Sequence, residues 1–219
     1  MLTEAGSGKG GRGYVLQDVN ASEAICMSKI RDLTSYHKYI PTVKKVTMYD
    51  EKKLFNGTIR SKAQFDVSVF RVGFRYFIDL TYIPKYNTLT WTLDYSRNSD
   101  FDDSIGHWQV MKHPSKNGWS RVLYSCNIKL FPWIPGFVVT FLTKTALVES
   151  TTWVKKQSEI EQAKEFIKPG LGWFTSQVKI PNVKDNLFKV LEERKEEISR
   201  SWKNQRGIIS TRFNSLFGK

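Results

Sequence analysis

Between Val43 and Leu130 apolar residues recur at every second position, run after run, and nothing else in the chain restricts its fold as strongly. Alternation of this kind puts one set of side chains on each face of a strand, so it specifies antiparallel strands with one buried and one wetted face. Val43 to Tyr49 is one such strand, with Asp50-Glu51-Lys52-Lys53 as its turn. In the next, Ile59, Ala63, Phe65, Val67 and Val69 face one way, and Arg60, Lys62, Gln64 and Asp66 the other. After a turn near Phe70-Arg71, Val72, Phe74, Tyr76, Ile78, Leu80 and Tyr82 alternate with Arg71, Arg75 and Asp79. Pro84 to Asn87 turns into Leu89, Trp91, Leu93 and Tyr95, set against Thr88, Thr90, Thr92 and Asp94. Ser104 to Met111 and Trp119 to Leu130 complete the series.

The flanks read as helical. Phe131-Pro132-Trp133-Ile134-Pro135-Gly136 is a corner, since each proline fixes φ and removes a donor. Beyond it Val138, Phe141, Thr145, Val148 and Thr152 share one helix face, and Pro169-Gly170 should stop the helix. Ahead of the strands, Tyr14 to Val19 alternates as a first strand. Asn20-Ala21-Ser22 offers capping residues for a short helix carrying Ala24, Ile25, Met27 or Ser28, and Leu33, and a second aromatic turn, Asp32 to Ile40, ends at Pro41. The expected class is α+β: two short helices after the first strand, then a curved antiparallel sheet wrapped around a long C-terminal helix. The expected divisions are a flexible N-terminal tail over 1–13, a domain over 14–168, and a basic amphipathic helical extension over 169–219.

The formal net charge of +13 suits an anionic partner but does not choose between a membrane surface and nucleic acid. Two cysteines, Cys26 and Cys126, are too few for a disulfide framework and lack zinc-type spacing, so buried thiols are expected, with no metal and no cofactor. Gly6-Ser7-Gly8-Lys9-Gly10-Gly11 fails as a phosphate loop, because no strand precedes it and Gly10 stands where Ser or Thr should hold magnesium. No apolar run reaches the roughly 20 residues of a bilayer span. The expectation is a cytoplasmic protein, with peripheral membrane attachment and organellar targeting both open, and nothing indicates an oligomeric state.

The order of elements resembles the helix-grip superfamily, which includes START lipid-transfer domains, the birch-pollen allergen family and polyketide cyclases. Val19-Asn20-Ala21-Ser22 with Leu33-Thr34-Ser35-Tyr36-His37-Lys38-Tyr39-Ile40-Pro41 resembles its first strand and helical pair. Phe101 to Val110 and Trp119 to Ser125 are similar to its last two strands. Within the superfamily the chain is most similar to the coenzyme Q-binding and polyketide cyclase/dehydrase group, in the version from plants and algae. That version has a similar Phe-Pro-Trp elbow and a similar Thr151-Thr152-Trp153-Val154-Lys155-Lys156 helix end. The resemblance covers Tyr14 to Ile160. It implies a hydrophobic small molecule or lipid, isoprenoid-like or phospholipid-like, held between sheet and long helix for sequestration or transfer at a membrane.

On this reading Phe65, Val67, Phe74, Tyr76, Trp91, Leu93, Trp108, Tyr124, Phe141 and Thr145 are the candidate wall. Periodicity alone cannot separate a hollow wall from a filled core. Catalysis by a cyclase- or dehydratase-like enzyme is the alternative, with His107 and Asp102 as its weak candidates, but a structural histidine and a solvated acidic loop paired with Arg97 are the more ordinary readings. His37 and His113 have no readable partner. The third reading is an RNA- or ribosome-associated module. It rests only on basic residues such as Lys44, Lys45, Lys52, Lys53, Arg60, Lys62, Arg71 and Arg75, without a recognisable RNA-binding motif. In the tail, Arg206, Ile209, Arg212, Phe213 and Phe217 combine charge with an apolar stripe. They suit contact with an anionic membrane surface or docking on the domain.

Overall fold

The alternating strands join in one antiparallel sheet, as their one-sided apolar faces require. A computed structural model of the chain describes residues 2–5, 10–134, 136–140 and 146–177. The strands are β1 (Leu2–Ala5), β2 (Gly10–Val19), β3 (Val43–Lys53), β4 (Ile59–Val69), β5 (Val72–Ile83), β6 (Thr88–Leu93), β7 (Asp103–Lys112) and β8 (Ser120–Lys129), in the spatial order β1-β2-β8-β7-β6-β5-β4-β3. Seven are long and β1 is a short edge strand. Between β2 and β3 lie the helix α1 (Glu23–Arg31), a short 3-10 turn and the single-turn helix α2 (Tyr36–Tyr39). After β8 come α3 (Gly136–Thr140) and α4 (Ala146–Gln177).

Burial follows the alternation. Along β4, Ala63, Phe65, Val67 and Val69 are buried, and opposite them on β5 so are Phe74, Ile78 and Leu80. Leu89, Trp91 and Leu93 of β6 continue the same inner face. Ser22 caps α1 by accepting the Ile25 N–H, the position capping chemistry assigned to it. The β4–β5 turn has Phe70 and Arg71 at φ of 50° and 68°. These are the mirror-image turn angles that match strand twist, held here without the usual Asn or Gly.

Several expectations need correction. The stretch 1–13 is not a plain tail: β2 starts at Gly10, and Leu2–Ala5 pairs with Gly11 to Tyr14. Glycine is what allows this approach, because a Cβ at Gly10 would collide with the Ile128 carbonyl oxygen. Asp50 to Lys53 continues β3 instead of turning, and the turn falls at Leu54 to Gly57. Pro169-Gly170 does not end α4, which runs on to Gln177. Proline's fixed φ is itself helical, so it removes one hydrogen bond without forcing a stop. The chain divides into compact units Met1–Gln162 and Ala163–Lys219. No helix among the described residues is long and apolar enough to cross a membrane.

The buried stripe of α4 is also displaced from the expected one. Thr151, Val154 and Ser158 are buried, whereas Thr152 is only half-buried. Trp153 packs sideways, stacked on Tyr39 at 5.6 Å and edge-on to Tyr36 at 4.8 Å. Three side chains then fix the helix to the β2–α1 junction through main-chain atoms. The Asn20 N–H donates to Glu159 Oε1 at 3.0 Å, the Ser22 N–H donates to Gln162 Oε1 at 2.8 Å, and Lys155 donates to the Asp18 carbonyl at 3.0 Å. Lys155 and Glu159 are themselves ion-paired, and Lys29 of α1 reaches Glu161 at 3.3 Å.

Removing these acceptors leaves main-chain donors unpaired at the junction. Gln162→Ala and Glu159→Ala are each expected to destabilise the chain by about 1 kcal/mol. The measurement is urea unfolding, with the loss appearing in the midpoint and the slope unchanged.

Candidate functional site

Inward-facing side chains of the sheet and the covering helices do not meet everywhere. Between them lies a cavity of about 150 Å³. Its floor is Phe65, Val67 and Val69 of β4, Tyr76, Ile78 and Leu80 of β5, Leu89 and Trp91 of β6, Ser104 and Trp108 of β7, and Tyr124, Cys126 and Ile128 of β8. Leu33, Tyr36 and Ile40 close it from the helical segment, with Thr42 and Val43 at the start of β3. Phe101 comes from the β6–β7 loop, and Glu149 and Ser150 from α4.

Six of the ten expected wall residues therefore line the cavity: Phe65, Val67, Tyr76, Trp91, Trp108 and Tyr124. Phe74 and Leu93 are on the same face but buried in the packed core, Phe74 against Phe101 at 6.0 Å. Phe141 and Thr145 lie outside the described residues, as do Arg206, Ile209, Arg212, Phe213 and Phe217. Of the lining residues outside the expected wall, Val69, Ile78, Leu80 and Leu89 share the same alternating faces, whereas Leu33, Tyr36, Ile40 and Phe101 come from elements without a strand period. Phe101 belongs to an acidic loop, and Tyr36 to a helix of four residues. Only their aromatic character marked them.

The aromatic walls form two ring clusters. On one side Tyr76 is sandwiched between Phe65, at 5.2 Å and 12°, and Phe101, at 4.7 Å and 19°. On the other, Tyr124 lies between Trp91 at 5.6 Å and Trp108 at 4.3 Å. Each such contact contributes roughly 0.5–1.5 kcal/mol beyond area burial, so both clusters are rigid frames. Gly106 makes room for Trp91, since a Cβ there would collide with both the indole ring and the Ser125 carbonyl. The Trp91 indole N–H donates to Ser104 Oγ at 3.3 Å. Burial pushes the Cys126 thiol up to about 11, against the opposing effect of hydrogen bonds from Tyr124 and Ser104, so it stays a neutral thiol.

The catalytic candidates fall elsewhere. Strand parity puts Ser104, Trp108 and Val110 of β7 inside, which turns His107 to the outer face opposite Thr90 and Ser125. There it borders an outer groove of about 720 Å³ with Arg12, Arg60, Asp79, Thr81, Thr92 and Asn127. That groove mixes both signs of charge with apolar surface from Trp91 and Ile105. Asp102 is ion-paired with Lys129 at 2.6 Å, Asp100 accepts the Arg75 N–H at 2.6 Å, and Asp103 accepts the Tyr95 hydroxyl at 2.7 Å. Arg97 does not pair with this loop as expected. Its guanidinium lies over the Tyr49 ring at 4.3 Å. Among the described residues no group of three His, Cys, Asp or Glu side chains is placed to hold a metal.

Part of the basic surface is also committed. Lys62 pairs with the buried Asp94 at 3.0 Å and Arg75 with Asp66 at 2.7 Å. His113, with no partner readable in sequence, donates from Nε2 to Asp18 at 2.9 Å. Its Nδ1 accepts the N–H groups of Ser115 and Lys116, which fixes that tautomer. Arg121 completes the cluster on Asp18 at 2.7 Å and 3.2 Å.

No family model matches the sequence, and no curated protein matches it. Solved structures do resemble the fold. A START superfamily protein from Mycobacterium smegmatis aligns with 68% of this chain and 97% of its own, at 16% identity and a TM-score of 0.55. An aromatase/cyclase from a Streptomyces strain covers 68% and 93%, at 10% identity and 0.57. A STAR-related lipid transfer protein from Xanthomonas axonopodis covers 69% and 88%, at 12% identity and 0.54. At these identities the likeness is one of architecture, and the chain has the START-like helix-grip fold.

The Asp18 cluster has a defined pH signature. Arg121's hydrogen bond, opposed by burial and aided by His113, holds the Asp18 carboxyl down to about 2. A depressed carboxylate stabilises the fold above its unfolded value of about 3.9, and that stability is lost as pH falls through the folded value. Asp18→Asn should lower stability at neutral pH and flatten its decline between about pH 4 and 2, read from denaturant midpoints across that range.

Proposed function

We propose that the chain binds a compact hydrophobic molecule in the cavity between the inner face of the sheet and its covering helices, and sequesters or transfers it. The observation that carries this is the partly open cavity itself, about 150 Å³ among walls that are mainly apolar and aromatic. Binding follows from moving apolar ligand surface out of water, at roughly 25 cal/mol per Å². An engineered cavity of about this size takes up benzene, whereas drug-sized ligands occupy roughly 300–1,000 Å³. The volume therefore favours a single-ring or short isoprenoid-like molecule over a two-chain phospholipid. The relatives of this fold named as a lipid transfer protein and an aromatase/cyclase support a hydrophobic ligand in general terms.

Binding without turnover is the reading favoured, because neither His107 nor Asp102 borders the cavity. The basic extension over 169–219, with its arginines and apolar residues, is proposed to bring the ligand-carrying unit to an anionic membrane surface.

Native mass spectrometry of the chain purified from cells should show an added mass of a small apolar compound. A ligand at a hundredfold excess over its Kd stabilises by about 2.7 kcal/mol, a rise in Tm of roughly 5–10 °C for a chain of this length. Val67→Phe, which fills part of the cavity, should abolish the rise while leaving the unliganded chain folded. A chain that carries no ligand, and gains no stability from any compact aromatic or isoprenoid compound, would defeat the proposal.

A further inference from the structure

Three tyrosines line the cavity, and only one of them has an unused hydroxyl. Tyr36 donates to the Ile30 carbonyl at 2.6 Å, and Tyr124 is hydrogen-bonded by Ser150 of α4 and by Cys126. The Tyr76 hydroxyl makes no hydrogen bond among the described residues. Its ring nevertheless cannot turn away to find one, because Phe65 and Phe101 clamp it on both faces. Burial pushes the hydroxyl's pKa up, so it remains a neutral donor across the physiological range. A hydroxyl on the wall of a mainly apolar cavity, without a protein acceptor among the described residues and held in a rigid frame, prepares a specific place for an incoming acceptor.

The rest of the lining narrows the ligand's chemistry. Glu149 is the one charged side chain among the described wall residues, and no cation lines the cavity to receive an anionic group. Ser104 and Cys126 are occupied with Trp91, Tyr124 and each other. We propose that Tyr76 is the specificity-determining residue of the cavity, and that the ligand is a neutral, compact, ring-sized molecule whose single carbonyl-type oxygen accepts the Tyr76 hydroxyl. This rests on the cavity being a binding site, and it adds the polar anchor and the size class.

A matched pair of probes separates the two claims. Acetophenone and α-methylstyrene share shape and differ in replacing a carbonyl oxygen by a methylene group, so only the ketone can use the hydroxyl. Calorimetric titration of the full chain should show acetophenone binding roughly three- to tenfold more tightly. Tyr76→Phe should erase that preference while α-methylstyrene affinity is retained. Without ligand, Tyr76→Phe should hold or raise the Tm, since it deletes an unpaired hydroxyl, whereas Tyr124→Phe should lower it by breaking existing bonds. Equal affinity for the two probes, a preference that survives in Tyr76→Phe, or a fall in Tm of that unliganded variant each overturn the assignment to Tyr76 while leaving cavity binding in place. If the unmodified chain binds neither probe, the cavity reading fails as well.

Discussion

The attachment of α4 to the β2–α1 junction is the constraint on which the remaining architecture depends. The sheet is mainly apolar along its inner face, and such a face is stable in water only when covered. The cover is anchored at main-chain atoms, with Lys155, Glu159 and Gln162 reaching the Asp18 carbonyl and the N–H groups of Asn20 and Ser22. Main-chain atoms at a strand end and a helix start move less than surface side chains, so they fix the helix position well. Trp153, packed against Tyr36 and Tyr39, adds an apolar contact to the polar ones.

With that helix placed, the hollow beneath it follows from rigidity. Phe65, Tyr76 and Phe101 stack on one side, and on the other Tyr124 stacks on Trp91 and meets Trp108 at a tilt. Large flat rings held in clusters cannot collapse into the space between them, as flexible leucine or methionine side chains would. Gly106 contributes by leaving out a side chain where the Trp91 ring must lie. The same frames keep Tyr76 from seeking a partner elsewhere, which links the packing to the proposed chemistry of the ligand.

Charge is handled separately, on the outer face and at the ends. Asp94 is buried, which opposes its ionisation, but hydrogen bonds from Ser96, Lys62 and Tyr49 hold its carboxyl well below the usual range. Asp18 is held in a similar way by Arg121 and His113. These groups carry structural duties, and they absorb part of the basic residues that the net charge of +13 had suggested for a polyanion.

The strands, their inward residues and the helix-grip order were legible in sequence because a strand's period of two converts residue type directly into facing. Phe65, Val67, Tyr76, Trp91, Trp108 and Tyr124 were found on that basis. Local signals were weaker wherever a non-local contact decided the outcome. The Gly10 stretch became a strand because β8 lies beside it, and the buried stripe of α4 carries Thr151 and Ser158, whose hydroxyls disguise it in a hydropathy reading. Facing alone could not say whether inward side chains touch, so Phe74 and Leu93 were indistinguishable in sequence from their cavity-lining neighbours. Nor could it show that Phe101 and Tyr36 would join the cavity wall, that His107 would turn outward, or that Tyr76 would, among the described residues, be the cavity tyrosine without a hydrogen-bond partner. Those outcomes depend on distances between elements far apart in the chain, and only the tertiary structure sets them.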